Sequence, residues 1–465
     1  MLRRCAVLGA LLVALVSGSW ACSRGDQRPS FLLITIDTLR TDRLGGYGGP
    51  GGLSPHADRL ARDGMLFENA TCPMPMTRPS HFSIMTSQYP REHGVVNNRI
   101  ALPDTAVTLP GLLQKAGYAT AAFVSSRVIG SKSGSANGIE TYVAPEQTQT
   151  WTAAESVPQA VRWLEGHAAR PFFLWVHLFD PHMPYEPPAE YQPAGGGTAR
   201  RLEKVAWPAV NAIARENGGD LPASVLREAL DLYAGEVRMA DHGVGQLLDA
   251  LEARGLAKST VVILTADHGE CFDHGILFEH SECLYDGGTR VPLVLRHPGR
   301  LPKGARVSAP VENIDIAPTL LGLAGVPVPP TFRGRSLLGR LDDDRAGFFE
   351  VPLYQEGARE NRAANAVDVR AVAGEPLRPI VDDDHATGVR AARWKYLASA
   401  RTEELYDLRA DPTESVNLAS KQPAVAAQWR ERLRRWEAAN PIRLIRSDQV
   451  DPDTLETLRS LGYIR

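Results

Sequence analysis

The chain has 465 residues, of which 43% are hydrophobic and 23% charged, with a formal net charge of −3. That length and apolar share support a buried core and more than one compact unit, since domains run to about 100–200 residues. The near-neutral balance gives no reason to expect nucleic acid or an anionic membrane surface as partner.

The chain opens on Arg3 and Arg4, an apolar run over residues 6–16, and small residues leading to Ala21 and Cys22. This is the layout of a secretory signal, too short to span a bilayer. It predicts export to the periplasm or cell surface. Two processing routes fit residues 1–22. Ser19 and Ala21 suit ordinary cleavage, whereas small residues ending at Cys22 suit a lipoprotein signal. In the second case a lipid on Cys22 is the chain's one expected link to a membrane. Residues 23–30 read as a polar tether.

A continuous apolar run, FLLITI over residues 31–36, stops at Asp37. Such runs belong to parallel strands covered on both faces. The pattern recurs at residues 118–124, 171–178 and 260–264, each after a helical stretch (109–116, 153–167 and 226–254). Helix, apolar strand and polar loop in repetition predict an α/β fold with a parallel sheet. Ligands gather where such strands end, which singles out Asp37, the loop after Leu178, and Asp267. Residues 185–222, rich in Pro, Gly and Ala, read as a surface insertion. Beyond Pro330 short segments predict a smaller subdomain, with a short antiparallel sheet and a helix over residues 424–439. The expected units are therefore 30–330 and 331–465. Cys271 and Cys283 read equally as a disulfide or as buried free thiols.

Four groups of polar residues could do chemistry. Asp37 at a strand end can hold a divalent cation, or simply cap a helix. Thr77, ahead of a helix-compatible stretch, would sit in the positive end of that helix's dipole, or serve as its cap. Asp267 and His268 form a mixed oxygen and nitrogen pair suited to Zn²⁺ or Mn²⁺, or a structural hydrogen-bonded pair. His177, His182, His274 and His280 cluster in two segments and could donate to anionic oxygens or protonate a leaving group.

Taken in order, several stretches resemble the sulfatase family of the alkaline-phosphatase superfamily. They are FLLITIDTLRTDRLGGYG, TRPSHFSIMTSQYPREHGV, LYAGEVRMADHGVGQLLDAL, TVVILTADHGE, LYDGGTRVPLVLRHPG, NIDIAPTLLGLAGV, GVRAARWKYL and ELYDLRADPTESVNLA. The resemblance implies an alkaline-phosphatase-like α/β fold: a mixed, mostly parallel sheet flanked by helices, with a smaller C-terminal α+β subdomain. The family's nucleophile motif is C/S-x-P-S-R, and here Thr77 stands at its first position and His81 at its Arg. Thr cannot become formylglycine, because its β-carbon bears a methyl group, so none is expected. The family's Gly-Lys-x-His stretch is replaced by Ser125-Ser126-Arg127.

Threonine nucleophiles occur in phosphotransferases and phosphodiesterases of the same superfamily. The resemblance thus implies Thr77 as nucleophile and metal ligand. Asp37, Asp267 and His268 would hold a divalent metal (Zn, Mn or Ca). His182 and His280, with His81 as neighbour, would bind anionic oxygens or assist the leaving group, and Asp180 is a candidate for a second metal. The expected substrate is a phosphate or sulfate ester of a small molecule, glycan or lipid. The alternatives are a formylglycine-independent sulfatase, a phosphotransferase and a non-catalytic binding lipoprotein.

Overall fold

The computed structural model describes residues 28–146, 150–167, 170–192, 202, 204–339, 341–342, 344–351, 370–376, 386–399, 402–443, 456 and 458. An apolar strand is stable only when both its faces are covered. Strand β1 (Ser30–Ile36) meets that condition with every residue buried. Its Phe31, Leu32, Leu33 and Ile34 are wholly removed from water, each worth roughly 1.5–3 kcal/mol relative to exposure.

The other strands of the same sheet are β2 (Met65–Phe67), β3 (Ala119–Val124), β4 (Thr141–Val143), β5 (Phe172–Leu178), β6 (Thr260–Ala266), β7 (Leu293–Arg296) and β8 (Ala305–Val307). Their order is β8-β2-β7-β6-β1-β5-β3-β4. The run from β6 to β4 is parallel, and β7 is antiparallel to both neighbours. This is the mixed, mostly parallel sheet of the sequence expectation. The helices are α1 (Pro55–Asp63), α2 (Thr77–Thr86), α3 (Leu109–Lys115), α4 (Ala153–His167), α5 (Ala223–Ala253) and α6 (Ile316–Ala324). They pack in two groups, α4 and α1 against α5, and α2 and α3 against α6.

Register places the functional end. Ile36 pairs with Leu178 on β5 and with Ala266 on β6. Asp37 and Asp267, each one residue further on, therefore emerge side by side. The Asp37 amide continues the ladder by donating to the Leu178 carbonyl at 2.9 Å.

A second sheet lies beyond residue 346, with antiparallel strands β9 (Gly347–Glu350), β10 (Ala386–Arg390), β11 (Trp394–Ser399) and β12 (Glu403–Asp407) in that order. Helix α7 (Pro423–Ala439) packs on it. Arg91, in the short helix Pro90–His93 that follows α2, holds this sheet through Glu350 at 2.8 Å.

The stretch expected as a surface insertion is partly structural. It contains a helix at Trp207–Glu216 and buries Tyr185 and Val205 completely. The reason is aromatic: Tyr185 packs edge-on against Tyr233, Phe272 and Phe278. Among the described residues no helix is long and apolar enough to cross a membrane.

Candidate active site

Asp37, Asp267 and His268 bring ligand atoms within 4.8 Å of one another, all buried. Nδ1 of His268 lies 2.9 Å from the Gly269 carbonyl. A carbonyl only accepts, so Nδ1 carries the proton and Nε2 a lone pair. That lone pair sits 3.6 Å from Asp37 Oδ1 and 3.4 Å from Asp267 Oδ2. These same three atoms lack hydrogen-bond partners. Two carboxylate oxygens and an imidazole nitrogen, buried together without a donor, make an acceptor-only cage that fits a dication.

The electrostatics agree. Burial pushes the Asp37 carboxyl up, although His182, His81 and His280 pull the other way. Burial and the Asp37 charge push Asp267 well up. Burial and His280 push the His268 imidazole well down. All three groups are thus set against the ionised carboxylate or the extra proton until a cation offsets the charge.

A further layer orients these ligands. Nδ1 of His177 accepts from the Ser125 amide at 3.3 Å, which leaves Nε2–H to donate to Asp37 Oδ2 at 3.3 Å. Asp267 Oδ1 accepts from the His268 amide at 2.8 Å, and the carboxylate also from the Thr38 amide. Thr38, a β-branched residue, is held at φ 52°, in the left-handed region that such residues avoid. The Tyr233 hydroxyl donates to its carbonyl at 2.7 Å. Such outer partners commonly fix ligand geometry in metal sites.

Helix α2 begins at Thr77 itself. Met76 occupies the cap position and no side chain caps the helix, so the Thr77 hydroxyl is not a cap. The first turn docks onto the end of β6, where Ser80 Oγ donates to the Asp267 carbonyl at 2.6 Å. Asn98 Oδ1 accepts from the Arg78 amide at 2.8 Å. Its own Nδ2, buried beside that turn, has no partner.

The histidines divide. His280 stacks on His268 at 4.4 Å between centroids and bonds through Nδ1 to Glu270 at 3.1 Å. Burial opposes its charge, but Glu270, Glu279 and Asp37 outweigh it and push the imidazole up to about 9. His182, 5.3 Å from His280, donates from Nδ1 to the Met183 carbonyl at 2.6 Å. Burial pushes His182 down to about 4. The pair is therefore split into one charged and one neutral ring, a division suited to acid and base roles. His81 is pushed down to about 3 by burial and by His177, and is neutral. His274 stacks on Tyr285 and bonds Asp273 at 2.8 Å.

Asp180 accepts from the Ala153 amide at the start of α4, at 2.8 Å. Among the described residues it joins no metal-holding cluster. Cys271 and Cys283 are joined in a disulfide, and Cys72 is a buried free thiol. The sequence marked His177 only within the histidine group, as a donor to anionic oxygens or acid to a leaving group, and the structure sets its Nε2–H on Asp37 Oδ2 instead; Thr38 and Asn98 were not marked for roles. His177 had a signal, since it is the last polar residue inside an apolar strand. Thr38 and Asn98 had none, because a strained backbone and an unpaired amide are visible only in three dimensions.

A sequence model of the family described as Sulfatase matches residues 29–326. An ulvan-active sulfatase from Formosa agariphila is 26% identical over 434 residues, covering 85% of this chain and 78% of its own. An N-acetylglucosamine-6-O-sulfatase from Bacteroides thetaiotaomicron is 24% identical over 85% of this chain and 83% of its own. Among solved structures, the phosphonate monoester hydrolase of Agrobacterium radiobacter superposes with a TM-score of 0.70 at 22% identity, over 92% of this chain and 99% of that one.

Proposed function

Because the chain belongs to the sulfatase family, whose members hydrolyse sulfate or phosphate esters, we propose that it is an exported, metal-dependent phosphoester hydrolase with Thr77 as nucleophile. One observation carries the reading: three unpaired ligand atoms of Asp37, Asp267 and His268 lie at the strand ends onto which the Thr77 turn is docked.

A divalent cation held by Asp37, Asp267 and His268, with Thr77 Oγ1 as a fourth ligand, would favour the threonine alkoxide and offset charge on the transferring group. Zn, Mn and Ca all suit this donor set. The protein's own groups do the rest. Thr77 Oγ1 forms the bond to phosphorus as the bond to the ester oxygen breaks, and the His280 imidazolium protonates the departing alcohol. Water then attacks the phosphothreonine, neutral His280 takes its proton, and phosphate leaves with Thr77 restored. The Asn98 Nδ2 offers a donor for a non-bridging oxygen. No formylglycine takes part.

The leader and the Cys271–Cys283 disulfide support export, since disulfides persist in oxidising compartments. Cys22 and the rest of residues 1–27 lie outside the described residues. We place the catalytic unit at 30–330 and the C-terminal subdomain and tail at 331–465. The names of the two sulfatase relatives favour a second reading, a glycan sulfate ester.

The test is hydrolysis of matched aryl phosphate monoester, phosphodiester and sulfate ester by the metal-loaded protein. The expected result is phosphate-ester turnover that Thr77→Ala abolishes while metal content stays the same. Turnover of the sulfate ester alone selects the second reading. An unchanged rate in Thr77→Ala removes Thr77 as nucleophile.

A further inference from the structure

The residue after Thr77 is a buried arginine. Arg78 stands in the first turn of α2, and a guanidinium removed from water is costly unless its donors are satisfied. Its side chain spans two separate segments. Nε donates to the Val128 carbonyl at 2.5 Å, and Nη1 to the Ile100 carbonyl at 3.5 Å. Each segment is fixed on its own side. Val128 lies in the single turn Arg127–Ile129 that follows β3. There Ser126 Oγ accepts from the Val128 amide at 3.3 Å, and the Tyr142 hydroxyl donates to the Ile129 carbonyl. Ile100 is packed with Val95, Val96 and Phe82 of α2 in a small apolar cluster.

Ile100 is two residues from Asn98, and the same arginine holds Asn98 through its backbone. Asn98 Oδ1 accepts from the Arg78 amide at 2.8 Å. That amide nitrogen is bonded to the Thr77 carbonyl carbon, so the carboxamide stands one peptide unit from Thr77. An N–H only donates, so the oxygen faces Arg78 and Nδ2 is the end left over. Nδ2 is buried and has no partner. A buried donor without an acceptor is unfavourable, and one retained in that state marks a place for a ligand. We propose that Arg78 is a positioning residue for Asn98: its amide turns the carboxamide and its guanidinium holds the loop that carries it, so that Nδ2 is directed at the oxygens of the group transferred to Thr77. The proposal rests on the reading of Thr77 as nucleophile and deepens it. A rigid guanidinium fork reaches two carbonyls at once, whereas the lysine ammonium is a point donor on a flexible stem.

The test is a double-mutant cycle of Arg78→Met and Asn98→Ala on the full, metal-loaded chain. The readouts are kcat and KM on the aryl ester that the wild type turns over, metal content, and amide hydrogen exchange over residues 95–101. Asn98→Ala should lower kcat roughly 100-fold or more, as loss of one donor to developing charge does. Arg78→Met keeps the Asn98 carboxamide but frees its loop. It should lower kcat roughly 10-fold or more, since about an ångström of misplacement can cost up to 100-fold. KM and metal content should be nearly unchanged.

The decisive comparison is the second edge of the cycle. In the Asn98→Ala background Arg78→Met should lower kcat no further, because no donor is left to aim. An arginine that serves the fold alone would lower kcat by the same factor in both backgrounds, and that result overturns the proposal. An unchanged kcat in Arg78→Met overturns it as well. Arg78→Lys is the second variant if Arg78→Met does not fold, and the same pattern is expected with a smaller loss. Hydrogen exchange needs no turnover. Exchange over residues 95–101 should be faster in Arg78→Met than in wild type, and unchanged exchange removes the clamp. A wild type inactive on every ester would therefore count against the proposed function, while the exchange would still decide whether Arg78 holds the Asn98 loop.

Discussion

Two buried charge clusters face opposite problems. At the ends of β1 and β6, Asp37 and Asp267 bring acceptors of like sign together with the His268 lone pair, and Asp37 Oδ1, Asp267 Oδ2 and His268 Nε2 have no hydrogen-bond partner. Where the C-terminal sheet meets the larger one, the signs alternate instead. Lys395 Nζ lies 3.0 Å from Asp286 and 2.8 Å from Glu414, and Arg390 Nε lies 2.9 Å from Asp286. Lys395 is wholly buried. The second cluster pairs its carboxylates with cations of the same chain, whereas the first gathers two carboxylate oxygens and an imidazole lone pair with no cation of the chain to balance them. Buried polar groups that the protein does not satisfy mark a place kept for a ligand, and the contrast can be tested by perturbing each side.

The largest effect is expected at the completed cluster. Lys395→Met leaves Asp286 and Glu414 short of a cation in a dry setting and should destabilise by about 3–5 kcal/mol, read as a urea midpoint. Burial pushes the Asp286 carboxyl up, but Arg390 and Lys395 outweigh it and hold it below the usual range. A depressed carboxyl contributes stability that is present above its unfolded value of about 3.9 and is lost as pH falls through the folded value. The gap between wild type and Lys395→Met should therefore be widest above pH ~4 and narrow below it. A gap that does not change with pH would count against the pairing.

Next comes the loop that carries His280. The Cys271–Cys283 disulfide closes a loop with a sequence separation of 12, worth about 3 kcal/mol in the chain-entropy account. The double variant Cys271→Ser/Cys283→Ser should lose about that much stability. It should also raise KM or lower kcat, because His280 and Glu270 face each other across this loop. Full stability in the double variant would show that the bridge is idle.

Cation loading should have a somewhat smaller effect, and of opposite sign. At a free cation concentration 100 times Kd, binding to the folded state alone stabilises by about 2.7 kcal/mol. The thermal midpoint should rise with added metal and fall back in EDTA. Asp267→Asn should abolish the shift, and an undiminished shift in that variant would place the cation elsewhere.

The sequence made the first cluster legible and not the second. Asp37 and Asp267 each follow a run of apolar residues, and strand ends of a parallel sheet can be found from hydrophobicity alone. The register that pairs Ile36 with Ala266 then brings them together. The Asp286, Lys395, Arg390 and Glu414 set comes from four separate segments, and no local pattern announces a pairing made only by tertiary packing. The same limit hid Asn98 and the left-handed Thr38, whose significance lies in what they face. Residues 185–222 misled in the other direction: their Pro, Gly and Ala content reads as surface, while Tyr185 is drawn into an aromatic cluster by residues far along the chain.

The smallest effect bears most directly on the contrast. In EDTA, Asp37→Asn removes one of two like charges and gives Asp267 Oδ2 and His268 Nε2 an amide donor in place of a repelling oxygen. A hydrogen bond of this kind contributes about 1 kcal/mol, so the metal-free variant should be more stable than metal-free wild type by about that amount, while losing its affinity for the cation. Residues kept for function at a cost in stability behave in this way. At the other cluster, the matching change Asp286→Asn takes a charge away from Arg390 and Lys395 and should destabilise. If Asp37→Asn is instead less stable in EDTA, the strand-end acceptors are already satisfied within the chain, and the case for a cation between them fails with the contrast.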